Sequence, residues 1–323
     1  MFPRLHPRKT AARLSCDYDI VAEWRMEVLG HQPDSAKKSI SRRSLRAVKR
    51  QFLSHYFASP PRWRLSVRRL GGKRILPDFC VVGPVKAGSS DLAVNMLLHP
   101  NVLIPLSKEF RERNPERWRV YYPTEVQKRR HEMRFGPSLA PYLAPALHSM
   151  DIPYNLSRVR PNAKVIITLR DPVERMYSHW KWEVFLAGKR TADSLPFLSS
   201  FSAYVDDSLH LFPSLPMFTA CGLSGLQASI YWKAVEYWMT CFDSRNVLVL
   251  DVRDYFHDRS HFMRLIHDFL GLPPIPTSSS AKRTNENPLS LPPPDYPSIA
   301  KLKHFFTTHN QRLWSVIGKE FAW

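Results

Sequence analysis

The chain has 323 residues, of which 44% are hydrophobic and 12% aromatic, a composition typical of a folded domain with a large core and unlike that of a disordered chain. With 47 Lys and Arg against 28 Asp and Glu, the formal net charge is +19. This excess favours a polyanionic partner, such as a nucleic acid, an anionic membrane, an acidic glycan or a phosphorylated ligand. The sequence shows neither an apolar run long enough to cross a membrane nor a secretory signal, so we expect a soluble chain as written, or one that is missing its anchor.

Residues 1–75 are predicted to form a basic leader that is partly helical or disordered. They hold 18 Lys and Arg against 5 Asp and Glu, so most of the excess positive charge lies here. A solvated leader, a nucleic-acid-binding arm, a transit-like segment and a polybasic stem beside a membrane all fit this pattern.

The cysteines give no metal or redox motif, because Cys16, Cys80, Cys221 and Cys241 form no C-x-x-C pair. Cys80 lies in an apolar run and is predicted to be a buried thiol. Cys221 and Cys241 could pair in an oxidising compartment. The triplet N-L-S at 155–157 is an N-glycosylation sequon and therefore a hint of secretory passage.

A predicted phosphate site follows the leader. Residues 79–82 (FCVV) predict a buried strand, and residues 91–98 (DLAVNMLL), with apolar side chains four apart, predict a helix. Ser89, Ser90 and Asp91 are expected to cap that helix. We call the intervening segment, residues 83–88, the phosphate loop, because backbone N–H groups and the positive end of the helix dipole should face it.

The phosphate loop differs from the ATP-binding pattern G-x-x-x-x-G-K-[ST]. Gly83 and Gly88 have the required spacing, but Ser89 occupies the lysine position and the nearest lysine is Lys86. Asp251, after an apolar run, is the one candidate for a magnesium-binding carboxylate. The hypothesis that the chain is a nucleoside kinase is therefore less well supported, but it remains an alternative.

A second anion-binding motif begins after residues 164–169 (KVIITL), which predict another buried strand. Its sequence is RDPVERMYS, in which Asp171 can cap the next helix and Pro172 fits the first turn. Arg170 at the strand end and Ser178 two turns into the helix can converge on one anion, because a guanidinium binds phosphate through two hydrogen bonds.

Together these motifs resemble the donor-binding segments of the sulfotransferases, which use 3′-phosphoadenosine 5′-phosphosulfate (PAPS). The phosphate loop is similar to the family's P-K-x-G-[ST]-[ST], with Val85 in place of Pro, and the second motif to L-R-[DN]-P-x-x-R-x-x-S. Further similar segments are L-H-P-N-V at 98–102, F-L-G-L-P at 269–273 and a closing N-x-x-L-x-x-x-x-G-x-x-F-x-W at 310–323. The resemblance implies a single α/β domain over residues 76–323, with a central, mainly parallel sheet flanked by helices.

The resemblance also implies a set of site residues and no metal. Lys86 should hold the sulfate and the 5′-phosphate and stabilise the leaving oxygen, which makes it catalytic as well as donor-binding. Glu109 lies in a segment similar to K-E-x-x-F and would accept the acceptor's hydroxyl proton. The pattern departs from the family at Arg111, Glu112 and Arg113, and Glu112 is the fallback base. The implied donor-binding residues are Lys86, Ala87, Gly88, Ser89, Ser90, Arg170, Ser178, Tyr231, Lys282 and Arg283.

The chain lacks the R-K-G-x-x-G motif of cytosolic small-molecule sulfotransferases, which favours the Golgi carbohydrate branch acting on heparan or chondroitin. We therefore expect sulfation of a hydroxyl on an acidic glycan in the Golgi lumen, with no specific nucleic-acid partner. Membrane attachment is expected only if an N-terminal anchor is missing from this chain. Two alternatives stay open: sulfation of a protein tyrosine or a small hydroxylated metabolite, and a catalytically inactive nucleotide- or polyanion-binding relative.

Overall fold

A computed structural model describes residues 60–108, 112, 114–144, 146–188, 196–214, 225–275 and 289–323. The strands within these ranges are β1 (Phe79–Val82), β2 (Pro141–Ala144), β3 (Lys164–Leu169) and β4 (Val247–Asp251). The α-helices are α1 (Arg62–Arg69), α2 (Ser89–Met96), α3 (Pro115–Trp118), α4 (Glu125–Phe135), α5 (Asp151–Val159), α6 (Pro172–Ala187), α7 (Phe201–His210), α8 (Trp232–Cys241), α9 (Val252–His257), α10 (Arg259–Leu270) and α11 (Tyr296–Ile317).

The four strands form one parallel sheet in the order β2-β1-β3-β4. In register, Phe79 of β1 lies opposite Pro141 of β2 and Lys164 of β3, while Val165 of β3 lies opposite Val247 of β4. Because parallel strands end at the same edge, β1 and β3 deliver the two predicted anion-binding motifs to neighbouring positions at the carboxyl edge of the sheet, where α/β proteins bind ligands.

Helices cover both faces of this sheet, which confirms the predicted α/β architecture. Alternate side chains of β1 enter different cores: Cys80 and Val82 pack with side chains of α5, α8 and α11, whereas Phe79 and Val81 pack with those of α2, α9 and α10. A strand that is buried on both faces has a continuous apolar sequence, as β1 does. The prediction of a buried Cys80 thiol is confirmed, and burial raises its pKa.

A third cluster fixes the position of α6, the helix that follows β3. Val173, Met176 and Trp180 of α6 pack against Tyr204 of α7 and Phe306 of α11. The helix that carries the second motif is therefore held in place by contacts with α7 and α11.

The last part of the predicted leader, residues 60–75, is attached to the domain. Arg68 donates hydrogen bonds to the carbonyl oxygens of Val120 (2.5 Å) and Tyr122 (2.7 Å), and Arg74 donates another to Tyr122 (2.8 Å). Residues 1–59 of the predicted leader lie outside the described residues, and the predicted domain boundary stays a prediction.

Three features bear on the cellular compartment. The sequon beginning at Asn155 lies inside α5, with Leu156 fully buried, rather than in a surface loop. Cys241 carries a free thiol, whereas Cys221 lies outside the described residues. None of the described helices combines the length and the hydropathy that crossing a bilayer requires.

Candidate active site

The phosphate loop passes very close to the neighbouring strand. A Cβ atom on Gly83 would lie 2.6 Å from the carbonyl oxygen of Thr168 on β3, so only glycine fits there. Lys86 has a φ of 75° and Gly88 a φ of 73°. A left-handed backbone is uncommon at a residue other than glycine, so the conformation of Lys86 has to be maintained by its surroundings.

Helix α2 begins directly after the phosphate loop, at Ser89, and no side chain caps it. The prediction that Ser89, Ser90 and Asp91 act as caps is therefore wrong. Asp91 is instead buried, and its carboxylate accepts hydrogen bonds from the Tyr255 hydroxyl and from Arg259 at 3.1 Å. The start of α2 thus presents backbone N–H groups that its own side chains do not cap, an arrangement that suits an anion.

Two arginines of the second motif bind backbone carbonyls of the phosphate loop. Arg170 Nη1 donates to the carbonyl oxygen of Lys86 at 3.3 Å, and Arg175 Nε donates to that of Val85 at 2.9 Å. Arg175 is 1% exposed and also donates to the carbonyl oxygen of Gly225 at 2.6 Å. This role of Arg175 was not predicted from the sequence, although the consensus L-R-[DN]-P-x-x-R contains the second arginine.

The turn between β3 and α6 has the structure that its sequence predicts. Asp171 caps α6 by accepting a hydrogen bond from the Val173 N–H at 2.8 Å, and Pro172 occupies the first turn. Tyr231 is 2% exposed, and its hydroxyl donates to the carbonyl oxygen of Arg170 at 3.0 Å. Tyr231 therefore positions Arg170, and its own contact with a donor stays a prediction.

Positive charge is concentrated at this edge of the sheet. Burial, followed by the charges of Arg170, Lys181 and Arg175, lowers the pKa of the Lys86 ammonium. Burial and the charge of Arg170 likewise lower the pKa of Lys181. Glu174 offsets part of this charge, with its Oε2 atom 3.2 Å from Arg170 Nε. Two ammonium groups whose pKa values are lowered in this way would be stabilised by an anionic ligand.

An aromatic side chain adjoins the candidate catalytic lysine. Lys86 Nζ lies 4.6 Å from the ring centre of Trp182, a cation–π contact. Trp182 and Ser178 are both half-buried on α6 and four residues apart, so they share a face of the helix. The Ser178 hydroxyl makes no hydrogen bond within the described residues. No role of Trp182 was predicted from the sequence, in which its spacing from Ser178 was the only signal.

A buried histidine lies behind the cations. Burial, followed by the charges of Arg175 and Lys86, lowers the pKa of His179 to about 3. Its Nδ1 atom is 2.8 Å from the Tyr204 hydroxyl. Although Glu183 lies 3.7 Å away, the imidazole is neutral near pH 7 and the two do not form an ion pair.

Three predicted site residues, Glu109, Lys282 and Arg283, lie outside the described residues, so their roles stay predictions. The fallback base Glu112 is described. Its Oε1 atom accepts a hydrogen bond from the N–H of Asn114 at 3.1 Å, which ties its carboxylate to the start of α3.

Asp251, the candidate magnesium ligand of a kinase, has a structural use. Its carboxylate accepts hydrogen bonds from the N–H and Nε of Arg253 at 2.9 and 3.0 Å and from Trp323 Nε1 at 2.7 Å. This strand-end carboxylate therefore joins the C-terminal segment to β4. In the parts of the chain that the structure describes, no three His, Cys, Asp or Glu side chains cluster as metal ligands would.

Comparison with known protein families identifies the chain. The family model described as "Sulfotransferase domain" matches residues 76–294. The chain belongs to the sulfotransferase family. Membership of this family replaces the nucleoside-kinase alternative.

Curated relatives of this sulfotransferase are distant. Carbohydrate sulfotransferase 15 of Homo sapiens is 24% identical over 77% of this chain and 55% of its own length. Heparan sulfate glucosamine 3-O-sulfotransferase 3B1 of Homo sapiens is 22% identical over 78% of this chain and 66% of its own length. The chain thus spans about half of the length of the first of these relatives and about two thirds of the length of the second.

A solved structure confirms the predicted fold. The sulfotransferase of Alicyclobacillus acidocaldarius aligns with a TM-score of 0.53 at 21% identity, covering 77% of this chain and 98% of that chain. The shared architecture is the sulfotransferase fold, a parallel sheet flanked by helices.

Proposed function

We propose that this sulfotransferase transfers the sulfuryl group of PAPS to a hydroxyl of a carbohydrate, in particular an acidic glycan of the glycosaminoglycan type. The observation that carries the donor assignment is the cluster of four cations, Lys86, Arg170, Arg175 and Lys181, beside the phosphate loop. PAPS presents a phosphosulfate and a separate 3′-phosphate, and two anionic groups on one ligand require extended positive charge of this kind.

The two motifs divide the donor between them in this proposal. Lys86 and the uncapped start of α2, with Ser89 and Ser90, bind the phosphosulfate, since helix N-termini bind anions. Arg170 and Ser178 bind the 3′-phosphate, which distinguishes PAPS from ATP. Further proposed donor contacts are Ala87, Gly88, Tyr231, Lys282 and Arg283.

The proposed chemistry needs positioning and charge stabilisation rather than a metal. The acceptor oxygen forms a bond to sulfur while the bond between sulfur and the bridging oxygen of the 5′-phosphate breaks. The negative charge that develops on the phosphate is stabilised by the Lys86 ammonium and the loop N–H groups. Glu109 accepts the proton of the acceptor hydroxyl, a contribution of about 10²–10⁴-fold for a general base.

The choice of a carbohydrate acceptor is supported by the named activities of the relatives, one a carbohydrate sulfotransferase and the other a heparan sulfate glucosamine 3-O-sulfotransferase. The net charge of +19 also suits an acidic polysaccharide, whose encounter with a basic surface is accelerated electrostatically. Residence in the Golgi lumen stays a prediction.

The donor assignment is tested by calorimetric titration of adenosine 3′,5′-bisphosphate and of ADP. We expect the wild-type protein to prefer the bisphosphate, and Arg170→Ala to bind it about 10- to 100-fold more weakly, since each hydrogen bond to a charged group contributes about 1.5–3 kcal/mol. The matched control is Arg245→Ala. The Arg245 side chain is 88% exposed, and the residue lies just before β4, at the amino edge of the sheet rather than at its carboxyl edge. Equal affinity for ADP, or an Arg170→Ala variant that binds normally, would contradict the proposal.

Turnover tests the acceptor. We expect sulfate transfer from PAPS to desulfated heparan or chondroitin, and loss of that transfer in Glu109→Gln with donor affinity unchanged. Transfer only to a tyrosine peptide or a small phenol would refute the carbohydrate assignment. Donor binding without transfer to any of these acceptors would instead identify a catalytically inactive relative.

A further inference from the structure

A buried lysine outside both motifs reaches the start of α2. Lys108 is 1% exposed and is among the largest fully buried side chains of the described residues. Its Nζ atom lies 3.1 Å from the Oγ atom of Ser90. The Lys108 side chain is therefore buried beside the helix terminus that is proposed to bind the most highly charged part of the donor.

The direction of this hydrogen bond is set by chemistry. An ammonium has three donors and no acceptor, so Lys108 must donate and the Ser90 oxygen must accept. A hydroxyl that accepts in this way still has its own proton to donate. With one lone pair of Ser90 directed at Lys108, the proton is turned away from the lysine, and the nearby charge makes the hydroxyl a stronger donor.

We infer that Lys108 is a positioning residue of the donor site: it orients Ser90 as a hydrogen-bond donor to the phosphosulfate and adds a buried positive charge behind it. This inference rests on the proposed function.

A double-mutant cycle on adenosine 3′,5′-bisphosphate affinity tests the inference. We expect Lys108→Met to weaken binding about 10- to 100-fold and Ser90→Ala about 5- to 10-fold, as for loss of hydrogen bonds involving a charged group. Because the contribution of Ser90 depends on its orientation by Lys108, the double variant should bind within about threefold of Lys108→Met, rather than showing the product of the two effects. Lys108→Arg, which keeps the charge and the donors, should recover most of the affinity.

The control is Lys303→Met, which removes one exposed lysine charge from α11 and should leave affinity unchanged. A folded Lys108→Met variant that binds within twofold of wild type, or two single effects that multiply in the double variant, would overturn the inference. If Lys108→Met does not fold, the cycle is run with Lys108→Gln, which also removes the charge, and multiplying effects again overturn the inference. A wild-type protein that fails to prefer the bisphosphate over ADP overturns the proposed function instead, so the two failures are distinguishable.

Discussion

Replacing Arg175 should separate the phosphate loop from the helix that supports it. The buried guanidinium donates to the carbonyl oxygens of Val85 and Gly225 and to the Ser229 hydroxyl at 2.9, 2.6 and 2.9 Å. In Arg175→Lys the charge remains buried, but a single ammonium cannot reproduce a planar fork that binds in two directions. The Ser229 hydroxyl also donates to the Gly225 carbonyl oxygen at 2.9 Å. In the variant the Gly225 oxygen therefore keeps a donor, whereas the Val85 carbonyl oxygen would lose its hydrogen bond from residue 175.

The expected cost follows from that contact. Loss of one hydrogen bond from a charged donor lowers the free energy of unfolding by about 1.5–3 kcal/mol. Urea unfolding followed by tryptophan fluorescence measures this cost, and a parallel titration with adenosine 3′,5′-bisphosphate should show weaker binding, because the loop backbone next to Lys86 is no longer held.

The matched control is Arg245→Lys, whose exposed ion pair with Asp243 should contribute less than about 1 kcal/mol. An Arg175→Lys variant within about 0.5 kcal/mol of wild type, with unchanged bisphosphate affinity, would refute the idea that this arginine supports the loop.

Three further predictions concern the same region. Gly83→Ala should cost about 1–3 kcal/mol and abolish bisphosphate binding, because its Cβ would meet the Thr168 carbonyl oxygen at 2.6 Å; an unchanged melting temperature would contradict this. An anion raises the lowered pKa of Lys86, so bisphosphate binding should take up protons and weaken as the pH rises toward that pKa. Calorimetry in buffers of different ionisation enthalpy measures the uptake, which Lys86→Met should remove, and an equal uptake in both proteins would count against it. His179, whose pKa is about 3 in the fold against an ordinary 6.5, should cost up to about 1.4 kcal/mol of stability per pH unit below 6.5, since the unfolded chain binds the proton and the folded chain does not. His179→Asn should flatten the pH dependence of urea unfolding between these two values, and an unaltered slope would argue against a neutral buried imidazole.

Local sequence determined the elements that carry the proposed donor site. The apolar runs 79–82, 164–169 and 247–250 became strands β1, β3 and β4 because a parallel strand covered on both faces leaves no place for polar side chains. Asp171 and Pro172 start α6 as predicted, since capping involves only neighbouring residues. Strand β2 was not predicted: it has four residues, starts with proline and lies at the edge of the described sheet, so its local signal is weak.

Tertiary structure alone decided which side chains support the site. Asp91 has the position and the chemistry of a helix cap, yet its carboxylate binds Tyr255, a residue 164 positions away. Arg175 reaches Val85 across 90 residues only because β1 and β3 are neighbours in the sheet. Periodicity and capping describe interactions within a few residues along the chain, whereas these contacts depend on strand order, which brings distant loops to one edge. The sequence by itself therefore located the two motifs proposed to bind the donor, and the packing of the sheet determined which contacts hold them in place.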